Sequence, residues 1–109
     1  MPPPTTLDAD RSLVRWATPV VFLAALVYFL LFHRHGFFLQ DEGVNAYQAL
    51  RVLEGQLPYA DFQTAYTPAG YYFHAALFRL FGTELSVLRV AGSVACATTA
   101  TLLFLAAVQ

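Results

Sequence analysis

A charge-free run at residues 16–32, WATPVVFLAALVYFLLF, decides the fold. Residues 17–32 alone would form an α-helix about 24 Å long at 1.5 Å per residue. The apolar residues just before the run lengthen it toward the roughly 30 Å of a bilayer hydrocarbon core, and Arg15 can reach the headgroups with its long side chain. The sequence therefore predicts a transmembrane helix over residues 13–35, preceded by a disordered tail, residues 1–12.

A cleaved signal peptide is the alternative interpretation of this segment. Arg11 and Arg15 precede the apolar run, as the positive residues of a signal peptide do. However, the run ends at residues 30–35 with LLFHRH, which contains no small-x-small cleavage site. The pattern favours a helix that is retained in the membrane.

A second apolar run predicts another transmembrane helix over residues 84–109. It holds one basic residue, Arg89, near its start. Small residues that allow close helix packing in lipid recur along it: Gly92, Ser93, Ala95, Ala97 and Ala100. The chain stops at Gln109 inside this run, without the Arg or Lys that normally follows a span. We expect an N-terminal fragment whose second span is truncated and packs against further transmembrane helices.

Composition supports an all-α integral membrane fold. Of the 109 residues, 58% are hydrophobic and 12% are charged, whereas a soluble domain carries about 25% charged residues. The formal net charge of -1 offers no basic surface for phosphate groups, so nucleic acid is not expected as a partner.

The loop between the spans, residues 36–83, is predicted to hold two interfacial amphipathic helices. The first covers about 42–54, and Gly55 is a natural C-terminal stop. The second covers about 68–81, because a Thr-Pro pair can begin a helix and a following glycine can end it. The second helix is too short to cross a bilayer.

Asp41 and Glu42 are adjacent carboxylates a few residues beyond the first span. Three interpretations remain open from position alone. Asp41 could cap the helix that follows, since its oxygens can accept backbone N–H bonds. It could act as a general base toward an acceptor hydroxyl, a role that contributes about 10² to 10⁴ in rate. Alternatively, both acids could help to hold a divalent cation through oxygen ligands.

An ordered series of short motifs carries a family resemblance. The series is a membrane span, Asp41-Glu42-Gly43, a short helix ending at Glu54-Gly55, Pro58-Tyr59-x-Asp61-Phe62, Tyr66-x-Pro68, an aromatic helix ending at Leu80-Phe81-Gly82, and Leu88-Arg89. In this order and spacing it resembles the start of the GT-C superfamily of glycosyltransferases. Within that superfamily it is similar to the bacterial branch of protein O-mannosyltransferases and aminoarabinose transferases. The resemblance extends over nearly the whole chain.

The resemblance implies a polytopic enzyme of the bacterial cytoplasmic membrane whose donor is a polyprenyl-phosphate-linked sugar. Asp41 would be the catalytic base, and Glu42 a supporting or acceptor-binding carboxylate. The first loop would be extracytoplasmic, although the count of basic residues leans toward a cytoplasmic loop. Its partners would be the lipid-linked donor, membrane lipids and the remaining transmembrane helices. The fragment alone is expected to be inactive.

One departure from the family pattern concerns the residues before the loop proline. Many members carry an acidic or basic residue there, whereas residues 64–68 read TAYTP. A divalent metal ion is therefore an uncertain cofactor, and its ligands are unknown. Asp61 is the one nearby acid that could replace the missing residue, and its alternative role is to stabilise a turn.

The remaining candidates, like Asp61, are predicted to bind substrate. Tyr59 and Tyr66 could stack on a sugar, with an interfacial aromatic belt as the alternative. His74 could reach a phosphate or satisfy a backbone group. Arg89 could bind a lipid phosphate through its forked donors, or extend to the headgroups.

Two other functional classes remain open. A small non-catalytic membrane subunit or scaffold would use the small-residue face of the second span to bind a partner. The first segment of a transporter would use an acid near a span to couple to protons.

Overall fold

The computed structural model describes residues 6–35 and 39–109, and over these residues the fold is entirely helical. The elements are α1 (Thr6–Phe32), a π-helical turn (Leu39–Gly43), α2 (Val44–Leu53), α3 (Pro68–Phe81) and α4 (Leu85–Ala107). The chain divides into two compact units. One unit contains α1 and the part of α4 from Gly92 onward, and the other is Arg34–Ala91.

Helix α1 begins earlier than the sequence predicted. It starts at Thr6, so residues 6–12 are helical and do not belong to a disordered tail. No proline or glycine lies between Thr6 and Leu13, and nothing in that stretch opposes extension of the helix. The first five residues of the predicted tail lie outside the described residues.

A proline lies inside α1. Pro19 has no backbone N–H, and an interior proline removes one helical hydrogen bond. The neighbouring Thr18 hydroxyl donates to the carbonyl oxygen of Val14 over 2.8 Å. That bond goes to Val14, whereas the carbonyl that Pro19 leaves without its helical donor is that of Arg15.

Helices α1 and α4 are both long and apolar enough to cross a membrane. The candidate spans are Asp10–Phe32 and Leu85–Ala107, with 23 residues each, which corresponds to about 35 Å of helix. The α1 span buries none of its residues within the protein. In α4, Ser93, Ala97 and Thr101 are buried, and their spacing of four places them on one face.

The C-terminus of α2 follows the glycine rule that predicted it. Gly55 adopts a left-handed φ of 90°. Its N–H donates to the carbonyl oxygen of Val52, and the N–H of Gln56 donates to that of Arg51, both over 3.0 Å. These two bonds form a Schellman motif, which satisfies carbonyl groups that the helix end leaves unpaired.

Helix α3 begins and ends as its flanking residues predict. Pro68 occupies its first turn after Thr67, whose extended φ and ψ fit an N-cap, although its side chain makes no capping hydrogen bond. At the other end, Gly82 has a φ of 102° and donates its N–H to the carbonyl oxygen of Phe78. The chain then turns into α4 within a few residues.

Helices α2 and α3 pack against each other and form the core of the Arg34–Ala91 unit. Ala49 of α2 is fully buried, and Tyr71, Ala75 and Phe78 of α3 are nearly so. The small alanine side chains allow the helices to approach closely, and each buried aromatic ring contributes about 1.5 to 3 kcal/mol through removal from water. This pair is the scaffold for the loop between the helices.

A substitution at Gly55 tests the C-terminal end of α2. Gly55→Ala should destabilise the protein by about 1 kcal/mol, because its Cβ meets no neighbour but its φ of 90° strains an L side chain. The measurement is the free energy of unfolding in detergent from a denaturant titration.

Gly70→Ala is the matched control. Gly70 lies inside α3 with open space around its Cβ, so alanine should stabilise the protein by about 0.5 to 1 kcal/mol. Equal effects of the two substitutions would contradict the role of left-handed backbone at Gly55.

Candidate functional site

Asp41 lies in the π-helical turn, with its carboxylate exposed. The phenol of Tyr66 donates to its Oδ1 atom over 3.2 Å. Helix α2 begins after Gly43, which has helical φ and ψ and provides no side-chain capping bond. The interpretation of Asp41 as the N-cap of α2 is therefore wrong, because the backbone is already helical before α2 begins.

Glu42 has a different environment from its neighbour. Arg89, near the start of α4, donates to its Oε2 atom from Nη2 over 2.6 Å and from Nε over 3.1 Å. The Arg89 side chain is 16% exposed and that of Glu42 is 38% exposed. The charge of Glu42 is thus balanced by a mostly buried guanidinium, whereas Asp41 has a neutral donor and faces solvent.

The segment between α2 and α3, residues 54–67, is called here the connector. Arg51 in the last turn of α2 holds it in place. Its Nε donates to Oε1 of Gln56 over 2.5 Å, and its Nη2 donates to the carbonyl oxygen of Asp61 over 3.2 Å. The guanidinium carbon also lies 4.5 Å from the centroid of the buried Phe62 ring. Such a cation–π contact adds about 0.5 to 2 kcal/mol.

Asp61 stabilises a turn within the connector. Its Oδ2 accepts the N–H of Leu57 over 2.7 Å, and its own N–H donates to the carbonyl oxygen of Leu57 over 2.9 Å. This is the structural role that the sequence offered as the alternative to substrate binding. Arg51 also donates to its backbone carbonyl, so both the side chain and the backbone of Asp61 are hydrogen-bonded.

Tyr59 adopts a conformation that is rare for a residue with a side chain. Its φ is 67°, in the left-handed region. Its N–H donates to the carbonyl oxygen of Phe62, and its phenol donates to the carbonyl oxygen of Tyr66, both over 2.8 Å. Strained residues of this kind persist only where the surrounding contacts determine them, and they cluster at functional sites.

Tyr66 is held by two further atoms besides the Asp41 oxygen. Its N–H donates to the hydroxyl of Thr64 over 3.2 Å, and that hydroxyl is hydrogen-bonded to the phenol of the buried Tyr71. Its carbonyl accepts the Tyr59 phenol. The hydrogen bond to Asp41 and the negative charge of that carboxylate both raise the pKa of the Tyr66 phenol. Tyr66 is therefore a protonated donor at neutral pH.

His74 occupies α3 on the side that is partly buried. Burial lowers the pKa of its imidazole, because a charged ring is disfavoured away from water. Its Nδ1 is buried without a hydrogen-bond partner among the described residues, and the same is true of Oε1 of Gln48 in α2. His74 is thus a neutral side chain at neutral pH, with one ring nitrogen that is not satisfied by the described part of the chain.

In the structure, some of the predicted site residues are bonded to one another, and others make their contacts elsewhere. Asp41, Tyr66 and Tyr59 form one hydrogen-bonded chain, and Glu42 with Arg89 forms an ion pair. The other two predicted residues, Asp61 and His74, make their described contacts in the connector and in α3. The sequence did not predict the roles of Arg51, Thr64 and Tyr71, because these roles depend on contacts made only after folding.

The described residues do not provide a metal site by themselves. Over residues 6–35 and 39–109, no group of three or more His, Cys, Asp or Glu side chains is arranged to hold a metal ion. The two adjacent carboxylates already accept hydrogen bonds from Tyr66 and Arg89. A hard divalent cation prefers six or more oxygen ligands, so this pair would be an incomplete donor set.

A double-mutant cycle tests the ion pair. Arg89→Gln and Glu42→Gln should each destabilise the protein, and the double variant should be less affected than the sum of the two. We expect a coupling free energy of about 1 kcal/mol, because the pair is partly buried and made of charged hydrogen bonds. The measurement is unfolding in detergent for all four proteins. A coupling near zero would mean that the pair does not hold the π turn to α4.

The lowered pKa of His74 predicts a pH dependence of stability. Because the folded pKa lies below the unfolded value of 6.5, the unfolded state binds more protons as the pH falls through that range. The free energy of unfolding should therefore decrease below about pH 6.5. His74→Gln should reduce this decrease, as measured by unfolding at pH 7.5 and 5.5.

An undiminished decrease in the His74→Gln variant would mean that burial of His74 is not the cause of the pH dependence.

Comparison with protein-family models, with curated proteins and with solved structures finds no match to this chain.

Proposed function

We propose that this chain is the N-terminal part of a polytopic membrane glycosyltransferase of the GT-C type. In this proposal the whole enzyme transfers a sugar from a polyprenyl-phosphate donor to an acceptor hydroxyl, with Asp41 as the general base. The observation that carries the proposal is the exposed Asp41 carboxylate, which is fixed by a phenol and placed beside an ion-paired Glu42. The resemblance of the ordered motifs supplies the reaction class.

The chemistry requires a carboxylate that is ionised, accessible and oriented. Asp41 would accept the proton of the acceptor hydroxyl as its oxygen attacks the anomeric carbon of the sugar. The bond between that carbon and the lipid phosphate oxygen breaks, and the lipid phosphate departs with the electron pair. Attack opposite the leaving group inverts the anomeric centre. A general base in this role contributes about 10² to 10⁴ in rate.

Glu42 and Arg89 fit a supporting role. Their ion pair occupies Oε2 of Glu42 and links the π turn to the beginning of α4. The guanidinium occupies the Glu42 carboxylate, which is therefore less accessible to an acceptor hydroxyl than the exposed carboxylate of Asp41. The proposal therefore assigns proton transfer to Asp41 and positioning to Glu42. A divalent cation in this site would need ligands from outside the described residues.

The proposed membrane arrangement places α1 and α4 across the bacterial cytoplasmic membrane. The segment between them would lie on the extracytoplasmic side, with α2 and α3 at the interface. Exposed tyrosines support an interfacial location, since a phenol suits a boundary between water and lipid. They are Tyr47, Tyr59, Tyr66 and Tyr72. A carboxylate at this boundary would meet the phosphate of a lipid-linked donor.

Sugar transfer by an Asp41→Asn variant tests the proposal. Radiolabelled sugar on polyprenyl-phosphate donors is supplied to membranes that contain the intact gene product. We expect the variant to lose about 10²-fold or more of the transfer rate at unchanged protein level, because the amide keeps the size of the carboxylate but cannot accept the proton.

Glu54→Gln is the matched control. Glu54 is an exposed carboxylate at the end of α2, and its neutralisation should leave transfer unchanged. Undiminished transfer by Asp41→Asn would reduce Asp41 to a structural residue. Absence of transfer in the unsubstituted protein with every donor would favour a non-catalytic subunit or a transporter segment instead.

A further inference from the structure

We infer that Tyr66 is the positioning residue of Asp41, and that Oδ2 of Asp41 is the atom that takes the proton from the acceptor. This inference rests on the proposed function of Asp41. It assigns Tyr66 a different role from the sugar stacking that the sequence predicted.

The two oxygens of Asp41 have different roles. Oδ1 accepts the phenol of Tyr66 over 3.2 Å. Within the described part of the chain, Tyr66 is the residue whose donation to this carboxylate is observed, and the carboxylate is exposed. A bond to Oδ1 restricts rotation about the Cβ–Cγ bond, and on this exposed residue it leaves Oδ2 for an acceptor hydroxyl. A catalytic group must be held within about 0.5 Å and 10° to 20° of its productive geometry.

The rigidity of Tyr66 decides whether it can orient Asp41. An exposed tyrosine would not orient a carboxylate if its own backbone could move. Tyr66 is fixed on both sides of its peptide unit, by the Tyr59 phenol on its carbonyl and by the Thr64 hydroxyl on its N–H. Thr64 is in turn bonded to Tyr71, a buried residue of α3. The backbone of Tyr66 is therefore anchored to the α2–α3 core.

The backbone of Tyr59 has a rare conformation that supports the placement of Tyr66. A φ of 67° is unfavourable for a residue with a side chain. The connector tolerates this conformation and with it brings the Tyr59 phenol to the Tyr66 carbonyl. The strained residue and the bond that it makes both serve the placement of Tyr66.

The phenol oxygen of Tyr66 distinguishes the positioning role from sugar stacking. Tyr66→Phe keeps the ring that would stack on a sugar but removes the donor to Asp41. We expect kcat to fall about tenfold with KM for the donor unchanged, because one charge-assisted hydrogen bond is lost at the base. A stacking role would leave the kinetics of this variant close to those of the unsubstituted protein.

The experiment measures kcat and KM for transfer of radiolabelled sugar from polyprenyl-phosphate in membranes with equal amounts of the intact protein. Tyr59→Phe should lower kcat in the same direction by a smaller factor, because it frees the Tyr66 backbone without removing the phenol. Tyr72→Phe is the control: Tyr72 is an exposed tyrosine on α3, and its substitution should leave both constants unchanged.

The outcomes distinguish this inference from the proposed function. Loss of transfer in Asp41→Asn together with a tenfold lower kcat in Tyr66→Phe supports both. Loss of transfer in Asp41→Asn with unchanged kinetics in Tyr66→Phe overturns the positioning role alone. A rise in KM without a change in kcat for Tyr66→Phe also overturns it, in favour of substrate binding. Full transfer in Asp41→Asn overturns the function and the inference together.

Discussion

The guanidinium of Arg51 makes the contacts on which the shape of the connector depends. It projects from the last turn of α2, bonds to Gln56 and to the carbonyl of Asp61, and lies over the ring of Phe62. A planar group with five donors can serve these partners at the same time, which an ammonium group cannot do. Because Phe62 and Tyr71 contact each other edge to face, Arg51 also links the connector to α3. The position of Tyr66 opposite Asp41 follows from this arrangement.

Two carboxylates that are neighbours in sequence acquire different chemistry through their partners. Successive side chains of a helical segment point in different directions, and Asp41 and Glu42 accordingly have separate partners. Asp41 turns toward the connector and meets a phenol, while Glu42 turns toward α4 and meets a guanidinium. The same functional group, a carboxylate, is thus an accessible acid in one position and half of an ion pair in the next. This difference supports the assignment of proton transfer to Asp41 and of positioning to Glu42.

Local sequence rules predicted the parts of the fold that are local. Gly55, Pro68 and Gly82 mark helix ends because each has a backbone preference that does not depend on distant residues. The early start of α1 and the π turn before α2 were not predicted, because no single residue type signals them.

The sequence predicted the two acids of the candidate site but not the residues that bond to them. Asp41 and Glu42 stand out because charges near an apolar run are costly. Their partners Tyr66 and Arg89 lie 25 and 47 residues away along the chain, and only folding brings them together. Arg51 had no signal at all in the sequence, because an arginine near the end of an amphipathic helix is common on exposed surfaces.

The left-handed backbone of Tyr59 places opposing demands on one position during evolution. Glycine would relieve the steric conflict but would enlarge the freedom of the unfolded chain and delete the phenol. Asparagine tolerates the same φ, yet its side chain is too short to replace a phenol. Phenylalanine keeps the steric conflict and loses the hydroxyl. Each simple replacement thus exchanges one loss for another, so natural variants at this position are expected to arise together with compensating changes at Tyr66 or Thr64.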